Sequence, residues 1–263
     1  MSLPPTIDPP ETPTSDRLPT EPSYIGVPRS AVGWLEIGGA ILVVLGASIV
    51  GFILISLVDP SLLDANTEDE SDGAALGLQA FTVLGFIGAA FGATMIANGG
   101  GGADAARRLG LGRLGPRILT TIAMAIGLYL LAGLLINAVF NPTQEDIAET
   151  LGAGDGAPLL VTVAAGVLII GGAAISEELF FRGLLFGGLR QRLSLWPAAL
   201  ISGVIFGLPH LPTGDLAVVL QLSLFGVILA WAYERTGVLW TAIALHAMNN
   251  TIAFLVLIDV LKV

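Results

Sequence analysis

Two adjacent carboxylates and a guanidinium, Glu177, Glu178 and Arg182, stand in the stretch Ser176–Arg182 (SEELFFR) within an otherwise apolar run. Ionisable groups at membrane depth cost about 2.5–3.5 kcal/mol each on insertion scales, so three so close together need a reason. On a helix Glu178 and Arg182 are four residues apart and can pair on one face. Glu177 lies about 100° further round and can point elsewhere. One carboxylate is then neutralised by its neighbour, and the other is free to act as a base. Two more polar groups follow. Phe206–His210 (FGLPH) ends in an imidazole, and His246–Asn250 (HAMNN) sets His246 and Asn250 on one helix face with Asn249 beside them. These are the chain's only two histidines. Amide hydrolysis needs a base for water and donors for the developing oxyanion. A desolvated carboxylate such as Glu177 suits the first task. The Asn250 amide and a histidine N–H suit the second.

Each group also has a packing role. Glu178–Arg182 reads as a structural ion pair, a buried histidine as an interhelical hydrogen-bonder, Asn249 and Asn250 as polar contacts between helices, and Phe206 as core. What favours chemistry is their order and depth. At 1.5 Å per residue, Glu177 lies roughly 20 Å from Arg190, His210 roughly 21 Å from Trp196, and His246 roughly 14 Å from Gly237. Other chemistries leave weaker traces. The chain has no cysteine, which excludes thiolates and disulfides. It has no HExxH motif, although Glu177, His210 and His246 could still assemble a His₂Glu zinc site. Ser176, Ser202 and Ser223 lack a GxSxG context. A non-catalytic scaffold would need only Glu178–Arg182. A proton-linked transporter using Glu177 would be expected to show broken helices in paired halves, and no internal repeat is visible.

The elements that must position these groups are membrane helices. Hydrophobic residues make up 54% of the 263 and charged residues 12%; mean hydropathy is +0.84. This composition predicts an all-α, polytopic transmembrane bundle. Seven apolar spans are expected, at about 32–58, 75–97, 118–140, 158–190, 196–211, 216–233 and 238–260, the fifth short and proline-bounded. Residues 1–30, rich in Pro, Thr, Ser and acids, are expected to form a disordered tail. Residues 31–157 then read as accessory helices and 158–263 as the catalytic core. Basic residues cluster at Arg107–Arg117, Arg190–Arg192 and Arg235, while 59–72 and 141–157 hold acids and no base. By the positive-inside rule the N-terminus is cytoplasmic, in a membrane expected to be a prokaryotic plasma membrane. The net charge of −10 argues against nucleic acid as a partner.

EExxxR at Glu177–Arg182, FxxxH at Phe206–His210 and HxxxN at His246–Asn250, in this order, resemble the CPBP intramembrane endopeptidases, the type II CAAX prenyl proteases. The similarity covers about 158–260. It implies an endopeptidase in which Glu177 activates water, His210 helps to hold it, His246 and Asn250 stabilise the oxyanion, and Glu178 and Arg182 form a supporting pair with Phe206. It further implies no cofactor, with zinc as the alternative, and a peptide or membrane-anchored protein as substrate amid membrane lipid. Glu177→Gln is then expected to abolish cleavage and Glu178→Gln mainly to destabilise.

Overall fold

A computed structural model describes residues 28, 31–58, 72–112, 114–115, 117–140, 158–211 and 216–258. The expected disordered tail and the two acidic loops lie outside these residues apart from a few at their edges. Among the described residues every secondary-structure element is a helix and there is no strand. The helices are α1 (Trp34–Val58), α2 (Asp72–Asn98), the short α3 (Gly102–Arg108), α4 (Ile118–Phe140), α5 (Leu159–Leu189), α6 (Leu195–His210), α7 (Leu216–Thr236) and α8 (Trp240–Leu257).

Seven apolar helices therefore occupy the places the hydropathy pattern predicts. Five of them, α1, α2, α4, α5 and α7, are long and apolar enough to cross a bilayer, and α6 is shorter. Their outer faces are apolar: Leu57, Leu119, Leu134 and Leu160 are strongly exposed, as suits side chains solvated by lipid tails rather than water. The protein is an integral membrane protein. The segment 98–117, which reads as a glycine-rich loop, contains α3. Its residue Asp104 binds both Arg107 and Arg108, and the Arg108 guanidinium, above all, holds that carboxyl below the usual carboxylate range.

α7 is the central helix, packed against α4, α6 and α8. α1 pairs with α2, and α2 lies on α5, where the Phe86 ring is 5.1 Å from Phe180 and 5.7 Å from Phe181 between centroids. α6 and α7 cross closely. A Cβ on Gly203 would lie 2.7 Å from the Ser223 carbonyl oxygen, and one on Gly226 2.8 Å from the Gly203 Cα. Close approach through small residues is how helices gain packing energy where there is no water to expel. At Gly207 an added Cβ would collide with the Ser223 hydroxyl and come within 2.7 Å of the Val219 carbonyl oxygen. Gly207→Ala is therefore expected to prise α6 from α7 and cost about 1–3 kcal/mol, read as a lower midpoint in thermal or SDS unfolding. Gly38→Ala, with open space around it, should change little.

One end of the bundle gathers the basic segments. Arg190 makes a two-bond fork with Glu234 at 2.6 and 3.0 Å, tying the end of α5 to that of α7. Arg192 donates to the Val32 carbonyl and stacks over Trp34. The Leu239 N–H donates to the Gly110 carbonyl, joining the start of α8 to the loop after α3. Gly110 has φ +85° and no room for a side chain against Tyr233, so only glycine suits the turn.

Candidate active site

α5 is not a uniform α-helix. Ala174–Glu178 is α-helical, but it is flanked by wide π-turn segments at Val167–Ala173 and Leu179–Phe186. Wide turns leave backbone carbonyls off the regular ladder, and such distortions recur at functional sites. Each segment has a carbonyl held from another helix. The Asn250 side-chain amide on α8 donates to the Ile169 carbonyl at 2.9 Å, and the Ser202 hydroxyl on α6 donates to the Phe181 carbonyl at 3.0 Å. The two flanks of the EE pair are thus pinned by side chains far away in sequence.

Glu178 and Arg182 are fully buried and pair at 2.7 Å, as the i,i+4 spacing predicts. The sequence did not reveal three further contacts of the pair. Glu178 Oε1 also faces His246 Nδ1 at 2.8 Å. The Arg182 guanidinium lies 4.2 Å from the Phe206 ring centroid and donates to the Gly226 carbonyl at 3.3 Å. Phe206 is therefore more than filler: it carries a cation on its face, and its ring stands 5.5 Å from that of His246 and 6.0 Å from that of His210.

Glu177 stands beside the pair, with its side chain 20% exposed. Its Oε2 is 4.0 Å from His246 Nε2. That is too long for a hydrogen bond and short enough for one bridging water. The titratable and charged groups acting on Glu177 are His246, His210, Glu178 and Arg182, all of them members of the predicted set. His210 closes α6 in a tight turn, Leu208–His210, and is half-buried. Asn249 donates to the Asn250 side-chain oxygen at 3.3 Å. One Asn250 N–H is thus occupied by the Ile169 carbonyl, and the second N–H of the amide is left for another acceptor.

Two of the three candidate serines, Ser176 and Ser202, are engaged by backbone carbonyls. The Ser176 hydroxyl donates to the Ala173 carbonyl and that of Ser202 to Phe181, so both serve the backbone of α5. Among the described residues no three His, Asp or Glu side chains are arranged to hold a metal ion.

The family profile described as type II CAAX prenyl endopeptidase Rce1-like matches residues 158–252. Two curated relatives share the same kind of similarity. The Bacillus subtilis (strain 168) protein named "Putative membrane peptidase YdiL" is 35% identical over 108 residues, 41% of this chain and 41% of the relative. An Escherichia coli protein named "Uncharacterized 24.3 kDa protein" is 32% identical over 85 residues, 32% of this chain and 39% of the relative. The aligned part is thus about two fifths of the length of each relative. No solved structure matches the chain. Residues 158–252 are thus similar to the type II CAAX prenyl endopeptidases, the resemblance that the three motifs led one to expect.

Proposed function

We propose that this protein is an intramembrane endopeptidase that hydrolyses a peptide bond near the cytoplasmic side with a water activated by Glu177. The observation that carries the reading is the meeting of Glu177 on α5 with His246 on α8, 4.0 Å apart, beside a wholly buried Glu178–Arg182 pair. Packing alone explains the pair. It does not explain a second, partly accessible carboxylate aimed at an imidazole.

In this reading Glu177 takes a proton from water as the oxygen attacks the scissile carbonyl. The free N–H of the Asn250 amide and the half-buried His210 stabilise the charge that develops on the carbonyl oxygen or hold the water. Glu178, Arg182 and Phe206 keep the frame in place. No cofactor takes part, and the N-terminus is cytoplasmic, which sets the basic end of the bundle on that side. Substrates are peptides or membrane-anchored proteins that reach the site from the bilayer or its cytoplasmic surface.

The purified, detergent-solubilised protein, incubated with a peptide panel in ¹⁸O-water, is expected to give fragments with one heavy oxygen in the new carboxylate, read by mass spectrometry. Fragments without the label, or none over a broad panel, would count against hydrolysis.

A further inference from the structure

The contacts of His246 assign it a role that its place in the motif does not give. An ionised carboxylate only accepts hydrogen bonds, and Glu178 is paired with Arg182 through the same oxygen, Oε1, that faces His246 Nδ1 at 2.8 Å. Nδ1 is therefore the protonated nitrogen. In the neutral ring Nε2 is then bare, and Nε2 is the atom that looks across 4.0 Å at Glu177 Oε2. A donor for an oxyanion would need the opposite tautomer or a charged ring.

Resting on the hydrolase reading above, we infer that Glu178 is a positioning residue that fixes the His246 tautomer, so that His246 enters the reaction as a proton acceptor and serves as the proton carrier to the leaving amine. As the water oxygen bonds to the carbonyl carbon, one water proton passes to Glu177. It crosses to His246 Nε2, and the positive charge formed on the ring is paired with the Glu178 carboxylate through the Nδ1–H bond. Nε2–H then protonates the amine nitrogen as the C–N bond breaks. The second water proton stays on the new carboxylic acid and is lost to solvent. Glu178 holds the ring as a carboxylate holds a catalytic imidazole in other hydrolases, by tautomer and orientation, without itself taking the proton. Arg182 keeps Glu178 in register, and the edge-on rings of Phe206 and Phe225, with centroids 5.5 and 5.9 Å from that of His246, fix its plane.

The test is the ¹⁵N spectrum of the full-length protein labelled at histidine. It contains two imidazoles, told apart by a His210→Gln variant. Near neutral pH His246 is expected to show a protonated Nδ1 and an unprotonated Nε2. In the double variant Glu178→Met/Arg182→Met, which leaves no orphaned buried charge, this preference should collapse to a mixture of tautomers. A protonated Nε2 in the wild-type protein, as the other tautomer or as the imidazolium, overturns the inference and leaves the hydrolase reading standing.

Activity supplies the second arm. His246→Gln is expected to slow cleavage of a panel peptide by about 10²-fold or more, but that of the matching p-nitrophenyl ester, whose leaving group needs no proton, by less than about tenfold. An oxyanion donor would be missed equally in both, at about 10²–10³-fold, and that result overturns the carrier role. Unprotonated Nε2 in a protein that cleaves nothing would sink the hydrolase reading, and the carrier role with it, while the Glu178–His246 link stood.

Discussion

Glu177→Gln is expected to lower peptide cleavage by about 10²–10⁴-fold, the span that a general base contributes, while the unfolding midpoint stays within error of wild type. The two halves of that result come from different observations. Glutamine has the shape of glutamate but cannot take a proton from water, so the chemistry stops. The Glu177 side chain is 20% exposed and the His246 ring nitrogen that faces it, Nε2, is 4.0 Å away, beyond a direct hydrogen bond. Little of the fold hangs on its charge. Loss of activity together with a collapse in stability would make Glu177 a structural residue instead.

Arg182→Leu should behave in the opposite way. The pair is fully buried at 2.7 Å, and removing the cation leaves the Glu178 carboxylate with His246 as its remaining polar partner. Breaking such a buried pair typically costs about 3–5 kcal/mol, against near-neutral replacement of both partners by apolar groups. The single variant is therefore expected to unfold at distinctly lower temperature or SDS content. Glu178→Leu/Arg182→Leu should recover most of that stability and yet remain inactive, because His246 has lost the acceptor at Nδ1. A double variant both stable and active would show that the pair is a structural bridge and nothing more. The expectation that Glu178 matters mainly for stability is thus sharpened by the structure. Its second bond, to His246, links it to the site.

Much of this was legible in the sequence because membrane physics writes in a coarse alphabet. Apolar runs of about twenty residues mark spans, and a charge inside one stands out as Glu177, Glu178 and Arg182 do. The pairing of Glu178 with Arg182 followed from helical spacing alone. What could not be read depends on long-range geometry. The π-turns around Glu177–Glu178 shift the faces of α5 away from a 3.6-residue period, so a simple helical wheel misplaces their neighbours. The bonds Glu178–His246 and Asn250–Ile169 join residues 68 and 81 positions apart. No local pattern encodes those partners. The stacking of Arg182 on Phe206 was hidden for the same reason, since an aromatic in a span reads as packing until the cation above it is seen. The close approach of α6 to α7 at Gly203 and Gly207 was likewise not read from the sequence, and it marks the crossing that carries His210 to the end of its helix.

In the proposed mechanism the Glu177 carboxylate, and not a bound metal, activates the water. The most direct measurement is the rate of peptide cleavage by purified protein before and after exhaustive treatment with a strong chelator, with Glu177→Gln alongside. Glutamate-based hydrolysis should leave full activity after chelation and none above background in the variant. Activity that disappears with the chelator and returns on adding zinc would contradict it.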